Sequence, residues 1–445
     1  MDSMEKLTKL MIRHGLHPKD AETGITSQWL MQTFATLIQR RQHLDGISET
    51  DWIEALQQTA ERMIFHHRDI PGKETLVDPR KDDLPLIQID PYVRGIVRWL
   101  NMMHIYTVNS CDGEGRRPAR IDFLNDLSAT QALIIRACTP KSVHVKLEKR
   151  RATFFYKKGQ IADLLTIAER LNNVWRNPES LKVYRLEKLK QRLMPLLRIQ
   201  GESGREHVIR QWLHRYLRSR ADWLKTDEYG NLLAAIHCGE GPVIALSAHM
   251  DTVKSFHPYR TVIENGTTLK SSSGILGADD RAGIAVILEI IDFIRHSRFQ
   301  GTLKIAFTVQ EEIGCLGSRH IDPAFLQDID AAIVVDRRGT RDIITSYAGI
   351  VPFCPDEYGR IFETAGALAG MPDWKITAGG LSDAKTFAEF GIPSVNLSVG
   401  YEHEHTEWET LDYRATLDTI ILLETVLDQQ LITKDVTMIK ETYTH

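Results

Sequence analysis

Histidine and acidic side chains follow four apolar stretches of this sequence, at the point where each stretch ends. They are His249 after VIALSA, Glu311 and Glu312 after LKIAFTV, Asp336 after AAIVV, and His405 soon after SVNLSVG. Short apolar runs of this kind are typical of buried strands. A further acid, Asp279, precedes the helical run RAGIAVILEIIDFIRH and is expected at a turn that enters a helix. All of these residue types bind metal ions.

The placement of these residues predicts that they meet. In an open α/β sheet, ligands bind beyond the carboxyl ends of the strands, where segments remote in sequence converge. Two imidazoles and three carboxylates suit zinc, and one carboxylate between two ions can bridge them. Paired metals about 3.5–4 Å apart hold an attacking hydroxide and polarise a scissile carbonyl. The sequence therefore predicts a hydrolytic centre with two metal ions.

The adjacent glutamates Glu311 and Glu312 supply two different needs of such a centre. Neighbouring side chains on a strand or turn diverge, so one glutamate can bind metal while the other reaches the activated water. A general base must lie within hydrogen-bond reach of the proton that it takes. The pair is therefore expected to provide one ligand and one base.

Five motifs in fixed order resemble a known superfamily. They are SAHMDTV, GADDRAGIA, QEEIG, VVDRRG and HTEWE. The order is similar to that of the co-catalytic zinc exopeptidases, which include peptidase T, glutamyl aminopeptidase and bacterial leucine aminopeptidase. The resemblance covers roughly residues 181–432, and GGLSDAKTF resembles a loop that borders the active site in these enzymes.

The resemblance implies a role for each residue. His249 and Asp336 would bind one metal, Glu312 and His405 the other, and Asp279 would bridge the two. Glu311 would be the general base. Asp251 would orient His249, because an acid two residues after a ligand histidine can fix the ring through its second nitrogen.

One departure from the superfamily concerns the substrate pocket. Peptidase T-like relatives carry a lid domain between the last acidic ligand and the final histidine, and the glutamyl aminopeptidase type inserts a domain between the first histidine and the bridging aspartate. Here His249 and Asp279 are only 30 positions apart, and Asp336 and His405 only 69. The catalytic unit is therefore expected to be minimal, with short loops, a partner subunit or residues 1–180 restricting access.

Three assignments have competitors. Asp280 is an alternative to Asp279 as the bridge, and His403 is an alternative to His405 in YEHEHTEWE, where the HTxxE match favours His405. Glu409 is either a residue that supports the ligands or a solvated glutamate.

The elements that position these residues define the expected organisation. Residues 1–75 read as a helical segment, with SQWLMQTFATLIQRR and DWIEALQQTAERMIFHH at helical spacing. IPGKETLVDPRKDDLP reads as a linker, and residues 76–180 read as a small α+β domain. In residues 181–445, strands alternate with helices, which predicts an α/β domain with a mostly parallel sheet and helices on both faces.

Composition excludes several classes of protein. Of 445 residues, 42% are hydrophobic and 26% charged, which is typical of a globular chain rather than a disordered or fibrous one. The net charge of −4 gives no global indication of binding to nucleic acid or to an anionic membrane. The first twenty residues lack the apolar core of a signal peptide, and no segment reaches the ~18 apolar residues of a membrane helix. Five scattered cysteines without CxxC spacing fit a reducing compartment. We therefore expect a cytoplasmic protein.

A basic and aromatic stretch, KSVHVKLEKRRATFFYKK, has two interpretations. Basic and aromatic residues together are used to bind single-stranded nucleic acid. The alternative is a hairpin with one solvated basic face and one buried aromatic face, which we favour because residues 1–180 hold 26 basic and 23 acidic side chains. Nucleic acid is therefore not an expected partner, whereas a homo-oligomer remains possible.

These inferences converge on one function with two rivals. We expect a di-metal exopeptidase, an aminopeptidase by the resemblance, that uses two Zn²⁺ ions or alternatively Co²⁺ or Mn²⁺ to cleave the N-terminal amide bond of peptides. One rival is a di-zinc amidohydrolase or deacylase that acts on a small non-peptide amide. The other is a regulatory or nucleic-acid-binding protein without turnover, against which the intact Glu311 argues.

Overall fold

Within residues 3–17, 25–41, 47–62, 86 and 89–434, which the computed structural model describes, the chain divides into two units. The N-terminal unit is Met1–Arg185 and the C-terminal unit is Leu186–His445. No helix in these described ranges is both long enough and apolar enough to cross a membrane.

The N-terminal unit combines helices with one small antiparallel sheet. Its elements are α1 (Ser3–Arg13), α2 (Ile25–Arg41), α3 (Glu49–Arg62), α4 (Arg94–Met102), β1 (Thr107–Cys111), β2 (Ala119–Phe123), α5 (Ala129–Cys138), β3 (His144–Glu148), β4 (Arg151–Phe155) and α6 (Asp163–Arg176). The strand order is β1-β2-β4-β3. The basic and aromatic stretch forms the β3–β4 hairpin, in which Ala152 and Phe154 are buried while Phe155 faces solvent.

The N-terminal unit does not divide where the sequence suggests. We expected a helical segment over residues 1–75 and a separate domain over 76–180. Instead Leu30 and Trp52 from the helical segment share one hydrophobic cluster with Ile96 and Phe154. Among the described residues, the helical segment has no hydrophobic core of its own, because its apolar side chains pack into the core of the α+β segment. The predicted linker, residues 70–85, lies outside the described ranges.

The C-terminal unit contains the elements that carry the candidate ligands. After α7 (Ser180–Leu196), within which the division at Arg185 falls, come α8 (His207–Leu217), β5 (Trp223–Thr226), β6 (Leu232–His237), β7 (Val243–His249), β8 (Val262–Asn265), β9 (Thr268–Ser271), α9 (Ala278–Ile294), β10 (Thr302–Thr308), α10 (Leu316–Arg319), α11 (Pro323–Leu326), β11 (Ala331–Arg337), β12 (Asp342–Tyr347), β13 (Val351–Pro352), α12 (Asp356–Leu368), β14 (Lys375–Gly379), α13 (Asp383–Glu389), β15 (Ser394–Ser398), β16 (Tyr401–Glu402), β17 (Thr410–Asp412) and α14 (Tyr413–Asp428).

The main sheet is parallel at its centre and in the β12–β14 pair at one side. Its order is β13-β12-β15-β11-β7-β10-β6-β5, with β14 beside β12. The neighbours β15, β11, β7 and β10 are parallel, whereas β6, β5, β13 and the β12–β15 pair run antiparallel. We expected a mostly parallel sheet, whereas the observed sheet is mixed. A short connection such as residues 227–231 between β5 and β6 can only form a hairpin, because a parallel pair needs a long crossover.

Helices cover both faces of this sheet. Along β11, Ile333 and Val335 face a large core that α9, α12 and α14 share, while Ala332 and Val334 face a smaller core with α13. A strand that is buried on both faces reads as a continuous apolar run, which is why AAIVV has no polar alternation. A second sheet, of order β16-β17-β9-β8, is antiparallel.

Candidate metal centre

The register of the central strands brings the first ligands together. β10 pairs with β7 so that Thr308 lies opposite His249, and the pairing of Val334 with Ser247 carries on to place Asp336 beside His249. The histidine Nε2 lies 3.5 Å from Asp336 Oδ1. The loop after β10 brings Glu311 and Glu312 to the same edge of the sheet.

Asp279 lies between two histidines that come from different parts of the chain. Its Oδ1 is 2.9 Å from His249 Nε2, and its Oδ2 is 3.0 Å from His405 Nε2. The carboxylate is in the first turn of α9, where the backbone of Asp279 and Asp280 departs from helical values before the helix continues. Each oxygen of one carboxylate therefore faces a different imidazole, which is the arrangement of a bridging ligand.

Asp336 and Glu312 complete the two halves of the cluster. Asp336 Oδ1 also accepts a hydrogen bond of 2.9 Å from the Tyr401 hydroxyl. Glu312 Oε2 is 2.7 Å from His405 Nε2, and its Oε1 is buried without a hydrogen-bond partner among the described residues. A buried carboxylate oxygen without a donor is costly, and a cation would satisfy it.

Glu311 lies beside the ligands but turns toward different neighbours from Glu312. One oxygen belongs to a group with His249 and Asp336 in which all ligand atoms are within 4.8 Å. Its Oε1 accepts a 3.3 Å hydrogen bond from the Cys315 thiol. Another such group joins Glu311 with Cys315 and Asp383. The two adjacent glutamates therefore diverge, with Glu312 against His405 and Glu311 nearer to the first half of the cluster.

The cluster holds more negative charge than its two histidines balance. Burial, opposed by His249, raises the pKa of Asp336 to about 7, and burial likewise raises the pKa of Glu311 and of Glu312. Hydrogen bonds to Asp279 and Glu312 raise the pKa of His405 to about 10. Two nitrogen and several oxygen donors that converge in a negatively charged, buried space fit divalent cations that accept both donor types.

Asp251 holds the loop of both glutamates as well as His249. Its Oδ1 accepts the Glu311 backbone N–H at 3.0 Å, and its Oδ2 accepts the Glu312 N–H at 3.1 Å and the Ser203 hydroxyl at 2.7 Å. The same Oδ1 is 3.4 Å from His249 Nδ1, which is also 3.1 Å from the Asp251 carbonyl oxygen. Burial raises the pKa of Asp251, but these hydrogen bonds outweigh burial and hold it below its usual range.

Glu409 is buried and supports the turn that carries Asp279. Its carboxylate accepts the backbone N–H groups of Gly277, Ala278 and Asp279 at 2.6–3.1 Å. Only 1% of its surface is exposed. Of the two interpretations that the sequence left open, the structure favours a supporting residue over a solvated one.

Asp280 and His403, the alternatives to Asp279 and His405, have different surroundings from those two residues. Asp280 Oδ1 accepts the Gly283 backbone N–H at 2.8 Å, and the two histidines face Asp279 instead. His403 lines an open cavity of about 760 Å³ with Arg338, Glu404, His405, Thr406 and Trp408. This volume suits a small ligand, and Trp408 is 72% exposed there.

Several residues of the site were missed at the level of sequence. Tyr401 bonds to Asp336, and the Asn396 side chain bonds to the backbone of Asp336 at both N–H and C=O. Ser203 bonds to Asp251, while buried Asp383 accepts from Thr308 at 2.6 Å. Tyrosine, asparagine and serine are common in any sequence and carry no spacing signal. Only Asp383 could have been found, because it lies in the quoted motif GGLSDAKTF.

Comparisons with known proteins find similarity to peptidases. Residues 255–422 match the family model described as M42 glutamyl aminopeptidase, a range that includes Asp279, both glutamates, Asp336 and His405. The chain is 34% identical to peptidase T of Aeromonas hydrophila over 123 residues, which are 20% of this chain and 30% of that protein.

A longer alignment joins the chain to uncharacterized protein YqjE of Bacillus subtilis. The two are 29% identical over 364 aligned positions, which cover 55% of this chain and 98% of that protein. Since 55% of 445 residues is far fewer than 364, a large part of that relative has no counterpart here.

A solved structure with a similar fold is aminopeptidase PepT of Bacillus cereus. It superposes with a TM-score of 0.50 at 18% identity and covers 55% of this chain and 98% of its own. At this identity the likeness concerns the fold alone.

Proposed function

We propose that this protein, whose C-terminal unit is of the co-catalytic zinc exopeptidase type, is a metal-dependent aminopeptidase that removes the N-terminal residue of peptides. The observation that carries the proposal is the position of Asp279, whose two oxygens face His249 and His405 at 2.9 and 3.0 Å. A carboxylate shared in this way is what a two-ion centre needs.

The residues present fit two divalent cations, with zinc favoured by the mixed nitrogen and oxygen donors. His249 and Asp336 would hold one ion, Glu312 and His405 the other, and Asp279 both. When bound, the ions would polarise the scissile carbonyl and acidify a water molecule. Cobalt and manganese accept the same donors and are alternatives.

Glu311 is the residue that we assign to proton transfer. It would take a proton from the attacking water and give it to the leaving amino group, so that one carboxylate serves as base and then as acid. Asp251 fixes the Glu311 backbone through a 3.0 Å hydrogen bond, which holds the carboxylate on a defined turn. Burial raises the pKa of Glu311, which would help this carboxyl group to hold the transferred proton.

Two carboxyl groups beside the candidate ligands also favour a substrate with a free amino group. Asp383 and Glu311 lie close together there, and neither has a lysine or arginine partner among the described residues. A free α-amino group can donate several hydrogen bonds to such acceptors. This preference supports an aminopeptidase over a deacylase, whose N-acylated substrates have only one N–H at that position.

One experiment separates the proposal from its rivals. Purified protein loaded with zinc, cobalt or manganese is assayed against aminoacyl p-nitroanilides, dipeptides and their N-acetylated forms, and metal content is measured by elemental analysis. We expect about two ions per chain and hydrolysis only where the amino group is free. Preferred cleavage of acylated substrates would establish the deacylase, and protein that binds no zinc would refute the metal centre.

A matched pair of variants tests the ligand assignment. His405→Ala should lose metal and activity, because its Nε2 contacts both Asp279 and Glu312. His403→Ala removes an imidazole only two positions away, in the same cavity wall, and should keep both metals. Equal loss in the two variants would contradict the choice of His405.

Two further assignments complete the proposal. We assign the N-terminal unit to restricting access to the metal centre or to forming a homo-oligomer, because short intervals separate the candidate ligands of the C-terminal unit. We also assign the protein to the cytoplasm, where its five cysteines would remain reduced.

A further inference from the structure

The N-terminal unit carries a cavity of its own at one end of its small sheet. Its volume is about 340 Å³, and its walls come from the loop between β1 and β2 and from the end of β4. Arg116, Arg117 and Pro118 contribute from the loop, and Phe155, Tyr156 and Lys158 contribute from the strand end. The volume is at the lower end of the range of small-ligand pockets.

Among the described residues, the three cations of this cavity have no ion-pair partner, unlike Arg150 and Arg151 of the same sheet. At the opposite end of the β3–β4 hairpin, Arg150 pairs with Asp126 at 2.6 Å and Arg151 pairs with Asp122 at 2.6 Å. Within the described part of the chain, Arg116, Arg117 and Lys158 form no such pair, although the exposed Glu114 lies on the same loop. The cavity therefore concentrates uncompensated positive charge.

An aromatic surface lies beside these cations. Phe155 is 42% exposed, because successive side chains of a strand face opposite sides and Phe154 takes the buried side. The ring of His144, on the neighbouring strand, lies 5.9 Å from that of Phe155. Exposed rings next to basic side chains are what proteins use to stack bases and to hold the attached phosphate.

The loop that carries the arginines is held in place by hydrogen bonds. The Tyr156 hydroxyl lies 2.7 Å from the Asp112 carbonyl oxygen and 2.9 Å from that of Arg117. The Asp112 carboxylate accepts the Glu114 backbone N–H at 2.8 Å. Gly113 has φ +75°, and an added Cβ would come within 3.0 Å of the Pro118 carbonyl oxygen. A fixed loop loses little conformational entropy when a ligand binds.

We propose that this cavity binds a mononucleotide, with the base stacked on Phe155 and the phosphate held by Arg116, Arg117 and Lys158. A single nucleotide is favoured over a nucleic-acid strand because Arg150 and Arg151, further along the hairpin, are already paired with Asp126 and Asp122. A strand would need a continuous basic track, whereas a mononucleotide needs only one positive cluster and one ring.

The test is calorimetric titration of the full-length protein with AMP, GMP, CMP and UMP at low salt. We expect at least one nucleotide to bind, and Phe155→Ala to weaken its binding by about 5- to 150-fold, given that base stacking on an aromatic ring contributes ~1–3 kcal/mol. Phe155→Tyr keeps the ring and should bind as the unchanged protein does. The triple change Arg116→Ala, Arg117→Ala and Lys158→Ala should abolish binding, and inorganic phosphate should compete.

Controls separate a built site from general charge. Arg150→Ala removes one positive charge from the same sheet, but one already paired with Asp126, and should leave binding unchanged. Circular dichroism of each variant establishes that the fold is kept. The proposal is overturned if no mononucleotide binds, if Arg150→Ala weakens binding as much as Arg116→Ala, or if an oligonucleotide of eight residues binds while every mononucleotide fails.

Discussion

Replacing Asp251 by asparagine tests how the metal centre is supported. The buried carboxylate accepts the backbone N–H groups of Glu311 and Glu312 through different oxygens, at 3.0 and 3.1 Å. Asparagine has one oxygen and one NH₂ group, so one of the two backbone donors must face another donor. The change removes a single oxygen acceptor without altering the volume of the side chain.

The expected magnitude follows from these contacts. A buried donor left without an acceptor costs about 1–3 kcal/mol. For a unit of 150–250 residues, each kcal/mol lowers Tm by about 2–4 °C, so a cost of 2 kcal/mol corresponds to roughly 4–8 °C. Loss of a group that orients metal ligands typically lowers metal affinity or activity by about 10–100-fold. We expect both effects together, since the same carboxylate holds His249 and the glutamate loop.

The assay combines thermal denaturation, elemental analysis and kcat/KM for an aminoacyl p-nitroanilide. Ser203→Ala is the control, because it removes one 2.7 Å hydrogen bond to the same carboxylate and leaves both backbone contacts in place. It should lower kcat/KM by less than Asp251→Asn does. The reasoning is refuted if Asp251→Asn keeps metal content, Tm and kcat/KM at the values of the unchanged protein.

Three other predictions address the base, the N-terminal unit and pH. Glu311→Gln should keep the metals while kcat falls by about 10²-fold or more, whereas Glu312→Gln should lose metal; wild-type turnover by Glu311→Gln would show that the base is another residue. A chain that begins at Ser180, and so keeps α7 whole, should retain metal but change its substrate-length preference or its oligomeric state. Assays with peptides of increasing length and light scattering would detect these changes. If both stayed unchanged, the N-terminal unit would neither restrict access nor form an oligomer. Burial lowers the pKa of His14 despite its 2.7 Å hydrogen bond to Glu49, so the folded protein keeps this side chain neutral while the unfolded chain gains a proton as pH falls below the ordinary histidine pKa of about 6.5, and stability falls. Tm measured from pH 7.5 to 5 should therefore fall, and it should fall less in His14→Gln.

The sequence could predict that the candidate ligands meet because strand ends carry a strong signal. His249 and Asp336 directly follow an apolar run, Glu312 follows one after two residues, and parallel strands bring their carboxyl ends to one edge. The helical run after Asp279 likewise predicted that this residue lies at the start of a helix, where the structure has it. The fold class and the family resemblance of the C-terminal unit were therefore accessible, and the comparisons confirm them.

Other features depend on contacts that no local pattern encodes. Asp251 reaches across 60 positions to the Glu311 backbone, and Glu409 reaches across 130 to that of Asp279. The antiparallel edges of the main sheet depend on which strands meet, which periodicity does not specify. The single core of the N-terminal unit, which joins Trp52 with Phe154, likewise arises only from tertiary packing.

The candidate ligands come from five separate segments, and His249 and His405 are 156 positions apart in the sequence. An unfolded chain cannot hold such residues together, so the ions would be ligands of the native state alone and would stabilise it by mass action. Scarcity of metal would then raise the population of unfolded chains as well as depriving the enzyme of activity. Proteases that degrade unfolded chains would remove the protein faster in metal-starved cells, so its abundance would follow the metal supply.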